Sequence, residues 1–302
     1  VAKIITMPTT PNFIRSNFTL KRAVGSVASP YTGKVRTQEY DGVYWEATVT
    51  LPPMRRDVAK NWQSFLLELN GPVNHFKFAD PDALNQQGTY NGTTFLFQKR
   101  VGINNIELDF ASSTNTITAP SNTTPFSAAN EGDFFVVSGA TNPANNGTHK
   151  IVTKTNDYTV VVDPVDYDSL VTEADVTGCN INGNAKGAKG INIKAQLNSG
   201  TGTILKGDYL GIGTSSTETS SNYVPTQYVM VTSDAVETDE GGSAKNEYSV
   251  RIEPKLRTGY VNNVKLFNNP AKGLFRLTTK DVDWDADNIS NYGISFSCIE
   301  VV

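Results

Sequence analysis

From Val43 to Leu51 the chain alternates. Val43, Trp45, Ala47, Val49 and Leu51 are apolar, and Tyr44, Glu46, Thr48 and Thr50 lie between them. A period of two puts the apolar set on one face and predicts a half-buried strand with Trp45 as a core anchor. Pro52-Pro53 ends it, since neither residue donates to a ladder. The period then lengthens. Val58, Trp62, Phe65, Leu66 and Leu69 fall on one stripe of a helix running from about Arg55 to Leu69, with Trp62 and Phe65 as its largest anchors. Asn70-Gly71-Pro72 supplies the exit. Burying five such side chains contributes roughly 7–15 kcal/mol before entropy is subtracted. No second stripe of this strength occurs in the chain.

After Asp80-Pro81 the pattern changes to short apolar runs between turn signals: Phe95–Phe97, Ile106–Phe110, Phe134–Val137, Lys150–Thr153 and Tyr158–Val162. Such spacing predicts a small all-β module. Asn180 to Gly190 reads as a flexible exit linker, after which Ile191, Ile193, Ala195 and Leu197 resume a period-two strand. A last alternation places Ile294, Phe296 and Cys298 on one face of a terminal strand.

An internal echo runs through this β-rich part. Gly132-Asp133-Phe134 and Gly207-Asp208-Tyr209 each open a strand. His149–Thr153 then parallels Tyr228–Thr232, and Tyr158–Pro164 parallels Tyr248–Pro254. The order is the same both times, which predicts two related β modules. The expectation is a mainly β chain with one flanking helix: a discontinuous core, 1–87 plus 186–302, and an inserted small β-barrel-like domain, 88–185.

Composition sharpens this picture. Asn, Thr and Ser make up more than a quarter of the 302 residues, and only 19% are charged. A coiled coil needs the opposite balance. The formal net charge of −4 gives no whole-protein basic footprint for nucleic acid. No apolar run approaches the roughly 20 residues of a membrane span, and the N-terminus has no signal-peptide pattern. The two cysteines, Cys179 and Cys298, read as reduced, packed thiols. The two histidines, His75 and His149, cannot build a multi-His metal site and leave little scope for His-based catalysis.

The candidate chemistry is correspondingly thin. Asp283, Asp285 and Asp287 are oxygen donors of a kind that binds Ca²⁺, but the sixth and twelfth positions counted from Asp283 lack the Gly and Glu of an EF-hand. A solvated acidic loop is the plainer reading, with Trp284 inside it as an interface anchor. Arg55 and Arg56, a rare pair of adjacent cations, are the other interface candidates. Neither a nucleophile elbow nor a phosphate loop occurs. The expectation is a non-enzyme without cofactor. A carbohydrate-binding module and a β-rich hydrolase using a carboxylate pair are the competing classes.

One resemblance adds to this. Tyr44-Trp45 through Met54, Trp62-Gln63-Ser64-Phe65 and Leu69-Asn70-Gly71 resemble tail proteins of long-tailed bacteriophages. So do Leu205–Leu210, Tyr228–Thr232 and Ile252–Arg257. The stretch covered is about 35–80 and 186–302. The resemblance implies a distal tail or baseplate-hub component with a tail-tube-like β-sandwich or barrel core and one flanking helix. It further implies a homohexameric ring at the virion tail tip, assembled in the host cytoplasm and joining the tube protein to hub and tip proteins. Tail fibres or host surface glycans are further partners that the resemblance implies, with DNA met only in transit through the lumen.

Overall fold

The amphipathic stripe and the alternating strand that precedes it pack together as the pattern requires. In the computed structural model, which describes residues 2–90, 92, 94–164, 169–195, 202–237, 247–287 and 291–302, α1 spans Arg56–Leu69 and β5 spans Tyr44–Thr50. Helix α1 buries Ala59, Trp62, Phe65, Leu66 and Leu69. Strand β5 buries Trp45, Ala47 and Val49 and exposes Thr48. All three expected anchors are core residues, at 5% (Trp45), 1% (Trp62) and 3% (Phe65) exposure. The helix ends because Asn70 turns left-handed (φ 50°) and donates its N–H to Leu67 O. Gly71 follows at φ 63°, where an added Cβ would stand 3.1 Å from Lys280 Cα.

Among the described residues the fold is mainly β with this one α-helix, and the chain divides into two compact units. The first comprises residues 1–84, 224–228 and 271–302. Its six-stranded sheet runs in the order β1 (Ile4–Ile5), β7 (His75–Phe78), β21 (Gly273–Leu277), β24 (Ser295–Glu300), β5 and β2 (Arg15–Lys21). Only β1 and β7 pair in parallel. Edge-to-face contacts at 5.4–5.9 Å link Phe13, Trp62, Phe65 and Phe76, a geometry favoured by the ring quadrupoles. The Glu300 carboxylate, 2% exposed, accepts from Trp45 N at 3.2 Å and Tyr228 N at 2.8 Å. A ribbon of β3 (Val24–Ala28) and β4 (Val35–Glu39) stands between β2 and β5 in the chain. A small sheet joins β22 (Asp285–Ala286), β23 (Asn291–Gly293) and β6 (Met54–Arg55).

The second unit, residues 85–223 and 229–270, holds two barrels. The first is closed by β9 (Gly102–Ala111), β10 (Thr116–Thr118), β13 (Thr159–Val162), β12 (Gly147–Lys154), β11 (Phe134–Ser138) and β14 (Glu173–Asn182), with β14 returning to β9. The second is a seven-stranded sheet in the order β15 (Gly190–Ala195), β8 (Thr94–Phe97), β20 (Lys265–Phe267), β16 (Tyr209–Ile212), β17 (Gln227–Val231), β19 (Glu247–Glu253) and β18 (Val236–Glu237). Strand β15 pairs with both β8 and β19, so six of its strands also form a closed ring.

These two rings have one topology. In chain order, β9, β10, β11, β12, β13 and β14 correspond to β8, β15, β16, β17, β19 and β20, and each strand has the equivalent neighbours. The correspondence extends to single hydrogen bonds. Gly132 N donates to Ile151 O at 2.8 Å and Ile151 N to Asp133 O at 2.9 Å. Gly207 N donates to Val231 O and Val231 N to Asp208 O, both at 2.8 Å. Thr116–Thr118 face Val161–Thr159 as Gly190–Asn192 face Arg251–Ser249. The matched pairs Phe135/Leu210, Val137/Ile212, Ile151/Val231, Val160/Val250, Val162/Ile252 and Ile117/Ile191 are all at most 1% exposed.

Three expectations change. The equivalence Ile151/Val231 makes His149 the counterpart of Val229, one residue away from the pairing with Tyr228 read from the sequence. In a strand such a slip exchanges the two faces. The stretch 180–190 is no flexible linker: β14 runs through Asn182, and Asn184 and Ala188 are at most 1% exposed. Gly187 N there donates to Leu256 O at 2.7 Å. The division of the chain also falls elsewhere than at 87 and 186. Strand β8 pairs with β15 and β20, and residues 186–223 and 229–270 group with the small barrel rather than with the helix-bearing sheet. The inserted element proper is the first barrel, seated between β8 and β15.

Candidate assembly surfaces

A two-stranded ribbon in water is marginal unless a third strand or a packed face supports it. Among the described residues the β3–β4 ribbon has neither. Its five cross-strand pairs, from Val24↔Glu39 to Ala28↔Val35, form a sheet of their own. Val24, Val27, Val35 and Tyr40 are 51–74% exposed, and Tyr31 at the tip is 96% exposed. Successive side chains point to opposite faces, so Val24 and Val35 mark one face and Val27 and Tyr40 the other. Both faces carry apolar groups into solvent. Sequence reading passed over this arm, because alternation of small and polar residues without a core partner gives no periodic signal.

A groove of about 330 Å³ opens on the same unit. Trp62, Phe13 and Phe78 line it together with Pro8 and Pro11, and Lys77, Lys272 and Asp82 contribute its charges. The Trp62 indole N–H donates to Thr10 O at 3.0 Å, which ties the N-terminal segment to the helix.

The interface candidates Arg55 and Trp284, distant in sequence, fall in and beside the two outer strands of one small sheet, Arg55 in β6 and Trp284 just before β22. Asn291 in β23 pairs with Arg55 in β6, and Asp287 N donates to Asn291 O at 3.0 Å. Arg55 and Arg56 are exposed and Trp284 is 38% exposed. The three aspartates do not converge. Asp287 spends its carboxylate on Asn291 N at 2.7 Å and Asn291 Nδ2 at 3.2 Å. Asp285 lies in extended chain, where residues two apart share a face but stand about 7 Å from one another. Among the described residues no group of three His, Cys, Asp or Glu is placed to hold a metal ion.

In the second unit the two barrels share a buried polar seam. Arg100 Nη1 reaches Asp133 at 3.1 and 3.2 Å, Arg100 Nη2 pairs with Glu247, and Gln98 Oε1 accepts from Arg100 Nη2 at 2.8 Å. Asp133 is 0% exposed and also accepts from Asn130 N at 2.8 Å and from the Ser249 hydroxyl at 3.4 Å. Asn192 bridges in the same way, exchanging two bonds of 2.8 and 2.9 Å with the Phe134 backbone. Beside the seam lies a pocket of about 260 Å³ lined by Gln98, Lys99, Arg100, Lys194, Asn262 and Asn263, among others.

Both thiols are free and fully buried. Burial pushes the Cys298 thiol far up, and burial followed by the Glu173 charge raises that of Cys179. Both therefore stay protonated at neutral pH and act as small apolar groups. Burial, then the Arg276 charge, holds His75 below its ordinary value.

No protein-family model matches the chain, and no curated protein matches it.

Proposed function

We propose that the chain is a structural protein of a long-tailed bacteriophage tail tip, a distal tail or baseplate-hub component that assembles with copies of itself into a ring. The observation that carries this reading is the β3–β4 ribbon. An arm that exposes valines and tyrosines on both faces, with two open edges among the described residues, gains its stability from another chain, and a contact between unlike surfaces of identical copies closes into a ring when its rotation divides the circle. The resemblance of 35–80 and 186–302 to phage tail proteins supplies the context, including sixfold symmetry, the virion location and the tube, hub and tip partners. Non-enzymatic work through interfaces fits buried anchors beside exposed aromatic groups.

Light scattering with negative-stain imaging tests it. The full chain forms rings of about six copies, and replacing residues 24–39 by a short Gly-Ser turn leaves a folded monomer. A ribbon-less chain that assembles like the parent contradicts the reading.

A second reading, a carbohydrate- or receptor-binding tail module, is favoured by the pocket beside the seam, where the Asn262, Asn263 and Gln98 amides and the Lys99 and Lys194 ammonium groups offer donors to hydroxyls. Glycan-array binding that is lost in Lys194→Ala supports it.

A further inference from the structure

We propose that the groove beside Trp62 receives the Trp284 loop of a second copy of this chain, an inference that rests on the self-assembly reading above. The groove has an aromatic and proline lining, a volume ample for one indole, and two ammonium groups against one carboxylate in Lys77, Lys272 and Asp82. The loop is its complement. Trp284 stands 38% exposed between Asp283 and Asp285, both exposed and neither in an ion pair among the described residues. Asp287 is engaged by Asn291, so Asp283 and Asp285 are the charges on offer.

An exposed indole is a favoured interface anchor: the ring fills a pocket, and charges at the rim fix its orientation. Since Trp284 is exposed in its own copy, it does not occupy its own groove. Each copy carries one groove and one loop, and a groove-to-loop contact repeated head to tail closes a ring. The contact is independent of the ribbon in its residues and adds a second, charge-directed element to the same assembly.

The test uses the full chain. Trp284→Ala weakens self-association by roughly thirty-fold, the scale of one interface hot spot, with thermal unfolding unchanged because the ring is not part of the core. Lys77→Glu with Lys272→Glu, and separately Asp283→Lys with Asp285→Lys, each lower the mass seen by light scattering. An equal mixture of the two charge variants restores it, because every groove then meets a loop of opposite sign. A photo-crosslinker at Leu84, 44% exposed on the groove, couples to residues 281–287 of another copy. Wild-type mass in Trp284→Ala, a mixture that stays apart, or crosslinks to the 24–39 ribbon instead each overturn the pairing while leaving the assembly reading standing. A wild-type chain that is monomeric at every concentration overturns both.

Discussion

The two barrels of the larger unit share strand order, register and the turn that opens their third strand, yet they hold one buried aspartate in different company. In the second barrel Asp208 binds only backbone: it accepts from Leu205 N at 2.9 Å, Gly88 N at 3.3 Å and Gln87 N. In the first, Asp133 keeps the equivalent local bond, from Asn130 N at 2.8 Å, but meets the Arg100 guanidinium and the Ser249 hydroxyl instead. Both carboxylates pin the segment that leads into their barrel, residues 87–88 in one case and Arg100 in the other. The repeated part is the turn, and the difference lies in what each turn is fastened to. The outer barrel is anchored to its own chain. The inserted one is anchored to its host, through a seam in which Arg100 meets one carboxylate from each barrel.

The largest expected effect concerns where the insertion ends. In the first barrel β9 and β10 are joined by Ser112–Asn115. Replacing residues 101–189 by Ser-Ser-Thr-Asn lets β8 turn directly into β15, and the product unfolds in one cooperative transition in urea. Deleting 88–185 removes β8 from a closed ring and leaves two open edges, so that product is expected to aggregate. If both deletions behave alike, the nesting is wrong.

Next come the two aspartates. Asp133→Ala removes one of the two carboxylates that face Arg100, the more deeply buried of them, and costs about 3–5 kcal/mol. Asp208→Ala leaves neutral backbone donors unsatisfied and costs about 1–3 kcal/mol. Urea midpoints at equal slope read the difference, and equal costs would mean that the seam carries no charge-specific energy.

A smaller change tests the residue-by-residue match. His149 and Val229 are equivalent and both fully buried. His149 Nε2 lies 3.1 Å from Asn145 O in the first barrel. His149→Val should cost about 1–3 kcal/mol, the value of a lost buried hydrogen bond, while Tyr228, the partner suggested by sequence, does not fill this site. The smallest effect is expected at the turns. Gly132 (φ 90°) and Gly207 (φ 95°) adopt the same left-handed conformation, so Gly132→Ala and Gly207→Ala should each cost about 1 kcal/mol or somewhat more. Unequal losses by thermal melting would show that the two turns are not the same.

Much of this architecture is legible in the sequence because it is written in local periodicity. The Trp45 strand, the Trp62 helix and the Gly-Asp turns carry period, punctuation and a φ-specific residue at fixed offsets. Pairing is not local. The run Phe95–Phe97 looks the same whether it joins the barrel that follows it or the one assembled some hundred residues later. Strand β14 hides among Asn, Thr and Gly because its register shifts repeatedly against β9, which breaks the alternation a reader relies on. The candidate surfaces follow the same rule. Trp284 stands out by composition alone, whereas the small sheet that links its segment to that of Arg55 depends on β23 pairing with both β22 and β6, and the groove depends on an N-terminal segment tied down through Trp62.

The most direct measurement is the mass of the assembly formed by the chain in which residues 101–189 are replaced by the four-residue turn. With ring formation proposed to lie in the helix-bearing unit and its ribbon, this shortened chain should form a ring with the same number of copies as the full chain. A shortened chain that folds cooperatively yet stays monomeric would contradict that proposal and place the ring contact on the inserted barrel.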